Sequence, residues 1–247
     1  MPDRAVFIGT SGFYYEHWKG VFYPADLSKT KFFDYYIKKF DTLEINSTFY
    51  HMPKSKTIEH WIEKSPDNFV FSLKANRSIT HYKKLKNCKN DLYAFLHLIK
   101  PMKAKLGAVL FQLPPSLKID IDLLAAFLHI LPVGYRFAFE FRNATWFEEE
   151  VYELLRRYNA AFCIYDFNKR ESPKEITAEF VYIRLHGPDG PYRGCYSEES
   201  LLEWAGFIKN ATNKGKKIFC YFDNDYEGNA PKNAKRLIEL LNKDSNL

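Results

Sequence analysis

The sequence predicts an α/β fold, a single-domain (β/α)8 TIM-type barrel that spans residues 1–247. Strand-like runs alternate with helical patterns through the whole chain, and eight such runs are found. Polar residues also recur on one side of several runs, near their carboxyl ends. Alternating strands and helices form parallel sheets, and eight strands are the number that closes a TIM-type barrel. Many single barrel domains have about this length.

The segment 137–142 shows the polar pattern most clearly. Its three phenylalanines alternate with Ala138, Glu140 and Arg142, and successive side chains of a strand face opposite sides. Since a surface strand would not be this apolar on its outer side, we expect helices to cover the Phe face. Glu140 and Arg142 would then face a cavity, which indicates a barrel with a polar mouth.

The predicted strands follow one another at regular spacing. They cover residues 5–10, 42–46, 69–74, 106–112, 136–142, 160–166, 180–186 and 217–224. Helical apolar periodicity lies between most of them. It covers residues 31–40, 56–64, 91–103, 121–131, 147–158, 198–213 and 231–242. Ser55, Asp120 and Ser197 are candidate N-caps. The connection 167–179 contains Ser172-Pro173 and is too short for a regular helix, so we predict a degenerate sixth helix there.

The composition is that of a folded protein without a membrane anchor. Hydrophobic residues make up 46% and charged residues 27% of the chain, which excludes the low-hydrophobicity regime of disordered chains. No apolar run approaches the roughly 20 residues that cross a bilayer, and residues 1–4 lead directly into the first predicted strand. We therefore expect a cytoplasmic protein that does not bind membranes.

Charge and cysteine spacing limit the classes of partner. The net charge is +6, but the basic residues are spread over the helices, and only Lys83, Lys84 and Lys86 form a local cluster. Nucleic-acid binding is therefore possible but not favoured. The four cysteines are far apart and form no C-x-x-C pair, so neither a zinc site nor a disulfide framework is predicted.

Five predicted strands carry polar residues on one parity close to their carboxyl ends. These residues are Glu44 and Asn46, Ser72 and Lys74, Gln112, Glu140 and Arg142, and Tyr182, Arg184 and His186. Inward polar residues at this end of the strands are what a barrel active site requires. The alternative is a buried network in which the charges only neutralise one another. The eighth strand is ambiguous, because either Asp223 or Asn224 could point inward.

Motifs spread over nearly the whole chain are specific in combination. They are GTSG at 9–12, HWKGVFYP at 17–24, EINSTFY at 44–50, FQLPP at 111–115, EFR at 140–142, RLHG at 184–187, YRG at 192–194 and YFDND at 221–225. With them the chain resembles the YecE-like family, also called domain of unknown function 72. The resemblance implies a TIM-type barrel and no particular reaction. Two positions depart from the family pattern: Asp223, where Asn is more frequent, and Phe13, where Trp is common.

The inward residues predict metal-independent acid/base or hydrolytic chemistry on a small anionic or sugar-like, polyhydroxylated molecule. Glu44 and Glu140 are the candidate catalytic acid and base. The candidate substrate-binding residues are Lys74, Arg142, Arg184 and Arg193 for an anion, and Asn46, Gln112, His186 and Asn224 for orientation. No P-loop or G-x-G-x-x-G fingerprint is present, so no nucleotide cofactor is predicted, and we expect none of another kind.

Two other functions remain open at this point. Glu44, Glu140, His186 and Asp223 or Asp225 could bind a divalent metal in a hydrolase or isomerase, although the neighbouring cationic side chains would repel it. Alternatively, the mouth could be a non-enzymatic site for a ligand or nucleic acid. Its candidate stacking residues are Trp18, Tyr23, Phe49, Tyr50 and Tyr192.

Overall fold

Eight parallel strands close into a barrel in the computed structural model, which describes residues 4–243. The strands of this region are β1 (Val6–Ser11), β2 (Thr42–Ile45), β3 (Val70–Lys74), β4 (Leu106–Leu113), β5 (Phe137–Phe141), β6 (Ala161–Phe167), β7 (Arg170–Glu171), β8 (Phe180–Leu185) and β9 (Lys217–Phe222). All but β7 belong to the barrel, in the order β1-β2-β3-β4-β5-β6-β8-β9, and β9 pairs with β1. The TIM-type prediction is confirmed. Residues 1–3 and 244–247 of the predicted domain lie outside the described residues.

Helices surround the barrel as predicted. They are α1 (Phe32–Tyr36), α2 (Ser47–Tyr50), α3 (Ser55–Lys64), α4 (Lys89–Ile99), α5 (Ile121–His129), α6 (Glu149–Arg157), α7 (Glu198–Asn213) and α8 (Asn229–Lys243). Asp120 and Ser197 cap α5 and α7 by accepting from backbone amides, whereas Ser55 is the first residue of α3 and caps nothing. The sequence did not predict α2 or the π-helix Ser78–Tyr82.

The connection between β6 and β8 forms a hairpin instead of the degenerate helix. Phe167 pairs with Arg170 across Asn168 and Lys169, whose φ angles are 55° and 62°. Two positive φ values give a tight turn that matches the twist of antiparallel strands. The prediction that this connection lacks a regular helix is confirmed, but the predicted degenerate helix is wrong, because the chain forms the β6–β7 hairpin there.

Apolar side chains fill the space outside the barrel and its lower interior. Outside, Phe139 stacks on Phe111 with ring centres 5.2 Å apart, and Phe141 stacks on Trp146 at 4.8 Å. The Phe face of β5 is thus covered, as its sequence predicts. Inside, the lower barrel is filled by apolar side chains that include Val70, Leu110, Ala138, Phe180 and Phe219. The charged side chains of the interior lie higher, at the carboxyl ends of the strands.

No helix within residues 4–243 is long and apolar enough to cross a membrane.

Gly9 and Gly206 provide opposite tests of the barrel packing. A Cβ on Gly9 of β1 would overlap the carbonyl oxygen of Thr42, whereas Gly206 on α7 is exposed with open space around it. We expect Gly9→Ala to lower the free energy of unfolding by about 1–3 kcal/mol, because the strand backbones must separate. The control Gly206→Ala should raise it by about 1 kcal/mol through helix propensity. Urea unfolding measures both, and an unchanged Gly9→Ala variant would contradict the β1–β2 packing.

Candidate functional site

Arg184 occupies the centre of the barrel mouth. Its side chain is buried, with only 1% exposed. Nε donates to both carboxylate oxygens of Glu44, at 3.0 and 3.1 Å. Nη1 donates to Glu140 at 2.8 Å, and Nη2 donates to Asp223 at 2.9 Å and to Glu44 at 2.8 Å. One guanidinium therefore joins three buried carboxylates from different parts of the barrel, and we call these four residues the Arg184 cluster.

Glu140, Asp223 and Arg184 of the cluster are held in their charged forms. Burial alone would raise the pKa of the Glu140 carboxyl, but the charges of Arg142 and Arg184 outweigh it and hold that pKa well below its usual range. Burial also opposes ionisation of Asp223, and Arg184 together with His186 lowers its pKa instead. For Arg184, burial is outweighed by Glu44 and Glu140, which raise the pKa of the guanidinium. Each charge compensates the desolvation of another.

Glu44 has two further donors besides Arg184. The Tyr182 hydroxyl donates to its Oε2 at 2.6 Å, and the Ser11 hydroxyl donates to its Oε1. Asn46 Nδ2 in turn donates to Ser11 Oγ at 2.6 Å. The Glu44 side chain has no exposed surface, so both oxygens are occupied in the interior.

Glu140 connects the cluster to Arg142 and Gln112. Arg142 Nε donates to Glu140 Oε1, and Gln112 Nε2 donates to the same oxygen at 2.9 Å. The register explains this contact, because Gln112 of β4 pairs with Glu140 of β5. The guanidinium of Arg142 also lies 4.0 Å from the ring centre of Phe167 and 4.9 Å from that of Tyr165. Arg142 is thus held between the cluster and an aromatic wall.

His186 is a neutral imidazole that carries its proton on Nδ1. Its Nε2 faces two guanidinium donors, Arg142 Nη2 at 2.9 Å and Arg184 Nη1 at 3.3 Å, and a guanidinium cannot accept. Nε2 must therefore be the acceptor, which leaves the proton on Nδ1, 2.9 Å from Asp223 Oδ2. Burial, followed by the charges of Arg184 and Arg142, lowers the pKa of His186 to about 4.

Lys74 is a partly buried lysine whose amine has no hydrogen-bonded partner among the described residues. It ends β3, and its Nζ lies 4.3 Å from the ring centre of Phe49. Within residues 4–243, Nζ makes no hydrogen bond or ion pair. Burial and then the charge of Arg184 lower the pKa of Lys74 to about 8, although nearby carboxylates oppose this shift. Buried polar groups normally have partners, so this amine is a candidate functional group.

A cavity of about 410 Å³ opens beside the Arg184 cluster. Its lining includes Gln112, Arg142, Tyr165, Phe167 and Tyr192, and Arg170 and Glu171 of β7. Among the described residues, Arg142 Nη1 has no hydrogen-bonded partner. Another cavity, of about 440 Å³ between β1, α7 and α8, does not adjoin the cluster. The mouth cavity therefore combines a guanidinium with aromatic walls, as small-molecule sites do.

Comparison with known proteins identifies the family. The family profile described as "Protein of unknown function DUF72" matches residues 7–247. The chain belongs to the DUF72 family. The UPF0759 protein YunF of Bacillus subtilis (strain 168) is 26% identical over 89% of each chain. The UPF0759 protein YecE of Escherichia coli (strain K12) is 30% identical over 47% of this chain and 44% of YecE. The predicted family is confirmed.

A solved DUF72 structure has the same fold. The crystal structure of a DUF72 family protein from Thermotoga maritima MSB8 superposes with a TM-score of 0.88. It is 31% identical, and the match covers 97% of this chain and 100% of that one. The barrel is therefore shared along the full length of that DUF72 relative.

Most of the predicted site residues of this DUF72 chain meet at the mouth. They are Glu44, Asn46, Lys74, Gln112, Glu140, Arg142, Arg184 and His186. Arg193 lies apart: it is exposed, and its guanidinium lies 5.3 Å from the ring centre of Tyr226. Asn224 faces away from the mouth, where its Nδ2 donates to Gly194 O at 2.8 Å and to Asn233 of α8 at 2.9 Å. Their predicted roles in substrate binding stay predictions.

Three residues of the site were not among the predicted site residues. Ser11 and Tyr182 bond to Glu44, and both have the inward parity of their strands, so the sequence did carry a signal for them. The side chain of Asp223, just after β9, points into the barrel and accepts from Arg184. The sequence left open whether Asp223 or Asn224 points inward.

The acidic centre is already occupied by a cation. Glu44, Glu140 and Asp223 each direct an oxygen at the Arg184 guanidinium. Within residues 4–243, no group of three or more His, Cys, Asp or Glu residues has an arrangement that could hold a metal ion. A divalent ion would have to displace the guanidinium, so these residues do not fit a resident metal.

The tautomer of His186 can be observed directly. We expect ¹⁵N-detected NMR of the imidazole to show a neutral ring with the proton on Nδ1 from pH 8 to about pH 5, because two guanidinium groups face Nε2. A protonated His186 ring at pH 6, or a proton on Nε2, would contradict the arrangement.

Proposed function

We propose that this DUF72 protein is a cytoplasmic, metal-independent enzyme that binds a small anionic substrate at the barrel mouth and transfers a proton to or from it. The proposal rests on two nitrogen atoms of cationic side chains at the mouth that are not hydrogen-bonded to the carboxylates of the Arg184 cluster or to other described residues. Three carboxylates are engaged by Arg184, while Arg142 Nη1 and Lys74 Nζ have no hydrogen-bonded partner in the described part of the chain.

Arg142 is the anion-binding group in this proposal. Its guanidinium is held by Glu140 and His186, so its side chain is fixed before a substrate arrives. A carboxylate or phosphate in the cavity would receive a charge-assisted hydrogen bond from Nη1. Tyr165, Phe167 and Tyr192 would pack against the body of the substrate, which also suits a sugar-like molecule.

Lys74 is the proton-transfer group in this proposal. A group whose pKa is about 8 exchanges protons readily near neutral pH. Glu44 and Glu140, the predicted acid and base, contribute here through charge, since they hold Arg184 and act on Lys74 electrostatically. Their direct participation in acid/base catalysis stays a prediction.

The absence of disulfides among the four cysteines supports a cytoplasmic location. Cys88, Cys163, Cys195 and Cys220 are all free, and unpaired thiols are typical of reducing compartments.

A second candidate function is binding of single-stranded nucleic acid at the rim. The Arg77 guanidinium lies 5.8 Å from the ring centre of Tyr50 and 5.3 Å from that of Tyr82, and both rings are exposed. Aromatic rings next to basic groups can stack bases. Lys84 and Lys86 follow this stack, but Lys83 is paired with Asp91 at 2.6 Å, which reduces the basic charge that is available.

Inorganic phosphate is an anion that has no carbonyl group, so its binding tests the anion site alone. We expect calorimetry to detect phosphate binding that weakens at least tenfold in Arg142→Met, equal to about 1.4 kcal/mol. The matched control is Arg136→Met, because Arg136 precedes the other end of β5 and contacts Gly107 O. Phosphate affinity that is unchanged in Arg142→Met would contradict the proposal. Salt-sensitive oligonucleotide binding that depends on Lys84 and Lys86 would favour the second candidate.

A further inference from the structure

The surroundings of Lys74 differ from those of a lysine that only fills space. Lys105 is another partly buried lysine, and its Nζ donates to Ile62 O, Ser65 O and Ser65 Oγ at 2.9, 2.7 and 3.0 Å. Lys74 Nζ has no such acceptor within residues 4–243 and rests on the Phe49 ring. An amine with no acceptor is free to direct its lone pair at an electrophile.

We propose that Lys74 forms an imine with the carbonyl group of a small keto acid bound at the barrel mouth. This inference rests on the proposed function, because Arg142 would hold the carboxylate of the same molecule. A keto acid places a carboxylate next to a carbonyl, so it offers one group to each of the two cationic side chains. Glu140 interacts with both side chains: Arg142 donates to it, and its charge raises the pKa of Lys74.

The surroundings of Lys74 leave part of its amine unprotonated near neutral pH. Arg184 of β8 opposes protonation, whereas Glu140 of β5, Asp223 after β9 and Glu44 of β2 favour it. His81 of the π-helix also interacts with Lys74. Since burial and Arg184 prevail, the pKa is about 8, and roughly a tenth of the amine is neutral one pH unit below that value. A neutral amine is the form that attacks a carbonyl.

The covalent step balances without another reactant. The Nζ lone pair attacks the carbonyl carbon, and the carbonyl oxygen takes up a proton to give a carbinolamine. The nitrogen then loses a proton, the hydroxyl takes up another and leaves as water, and a C=N bond replaces C=O. The protonated imine withdraws electrons from the adjacent carbon, which makes removal of a proton there easier. Water reverses the sequence and regenerates Lys74.

In this proposal, His81 exchanges the protons of the step. Its ring packs edge-on against Phe49 with centres 4.8 Å apart, and Lys74 Nζ lies over that same Phe49 ring. The Thr80 hydroxyl lies 3.0 Å from its Nδ1. Burial and then the charge of Lys74 lower the pKa of His81, so its imidazole is neutral near pH 7 and can accept a proton.

Reductive trapping tests the imine. The protein is incubated with pyruvate and sodium cyanoborohydride at pH 7.5, and the adducts are located by peptide mass spectrometry. We expect one reduced pyruvyl group on Lys74, formed at least tenfold faster than any adduct on Lys105. Lys74→Met and Lys74→Arg should lose this adduct, and Lys105→Met should retain it. Lys74→Met should fold, because the amine that it removes has no hydrogen-bonded partner among the described residues, and thermal unfolding checks this.

The outcomes separate this inference from the proposed function. Trapping at Lys74 no faster than at Lys105 or at surface lysines would overturn the imine, and phosphate binding that still depends on Arg142 would then leave the anion site intact. Selective trapping at Lys74 that excess phosphate does not slow would support the imine and contradict anion binding by Arg142. Selective trapping that phosphate slows would support both.

Discussion

The pairing of Arg184 with three buried carboxylates is the interaction on which the mouth of this barrel depends. A guanidinium has five donors in a fixed plane, and here they reach Glu44, Glu140 and Asp223 from three directions. Without that cation, the barrel would hold three carboxylates in its apolar interior at a cost of several kcal/mol each. With it, the upper interior is a rigid polar plug above a layer of apolar side chains.

The plug determines what the remaining polar groups can do. Arg184 engages the carboxylates, and Lys74 has no hydrogen-bonded partner among the described residues. Burial, followed by the charge of Arg184, lowers the pKa of Lys74 to about 8. Because Arg142 and Arg184 both face His186 Nε2, that imidazole stays neutral and fixes the orientation of Arg142. In the proposed function, an anion would bind to Arg142, whose side chain is already held by Glu140 and His186. A catalytic site gains from such preorganisation, since no side chain has to move when the substrate binds.

Sequence periodicity predicted the barrel and most of the polar residues at its mouth, because strand parity decides which side chains face inward. It placed Glu140, Arg142 and Arg184 correctly at the mouth. It could not choose between Asp223 and Asn224, since polar residues occupy both parities at the end of β9. Parity also does not show which charged side chains pair with one another. The lack of a hydrogen-bonded partner for Lys74 among the described residues could therefore be seen only in the structure. The β7 hairpin turns through Asn168 and Lys169 without the glycine that usually signals such a turn.

Removal of Arg184 tests the central claim most directly. Arg156 is the control, because its pairs with Glu149 and Glu175 lie on the surface. In urea unfolding at pH 7.5, Arg184→Met should lower the free energy of unfolding by about 3–5 kcal/mol. Arg156→Met should lower it by less than about 1 kcal/mol. The loss of unfolding free energy in Arg184→Met should become smaller as the pH falls to 5.5. Glu140 and Asp223 are buried without the guanidinium in this variant, so they take up protons, which stabilises the folded state. A deficit as small as that of Arg156→Met, or one that is independent of pH, would contradict the account.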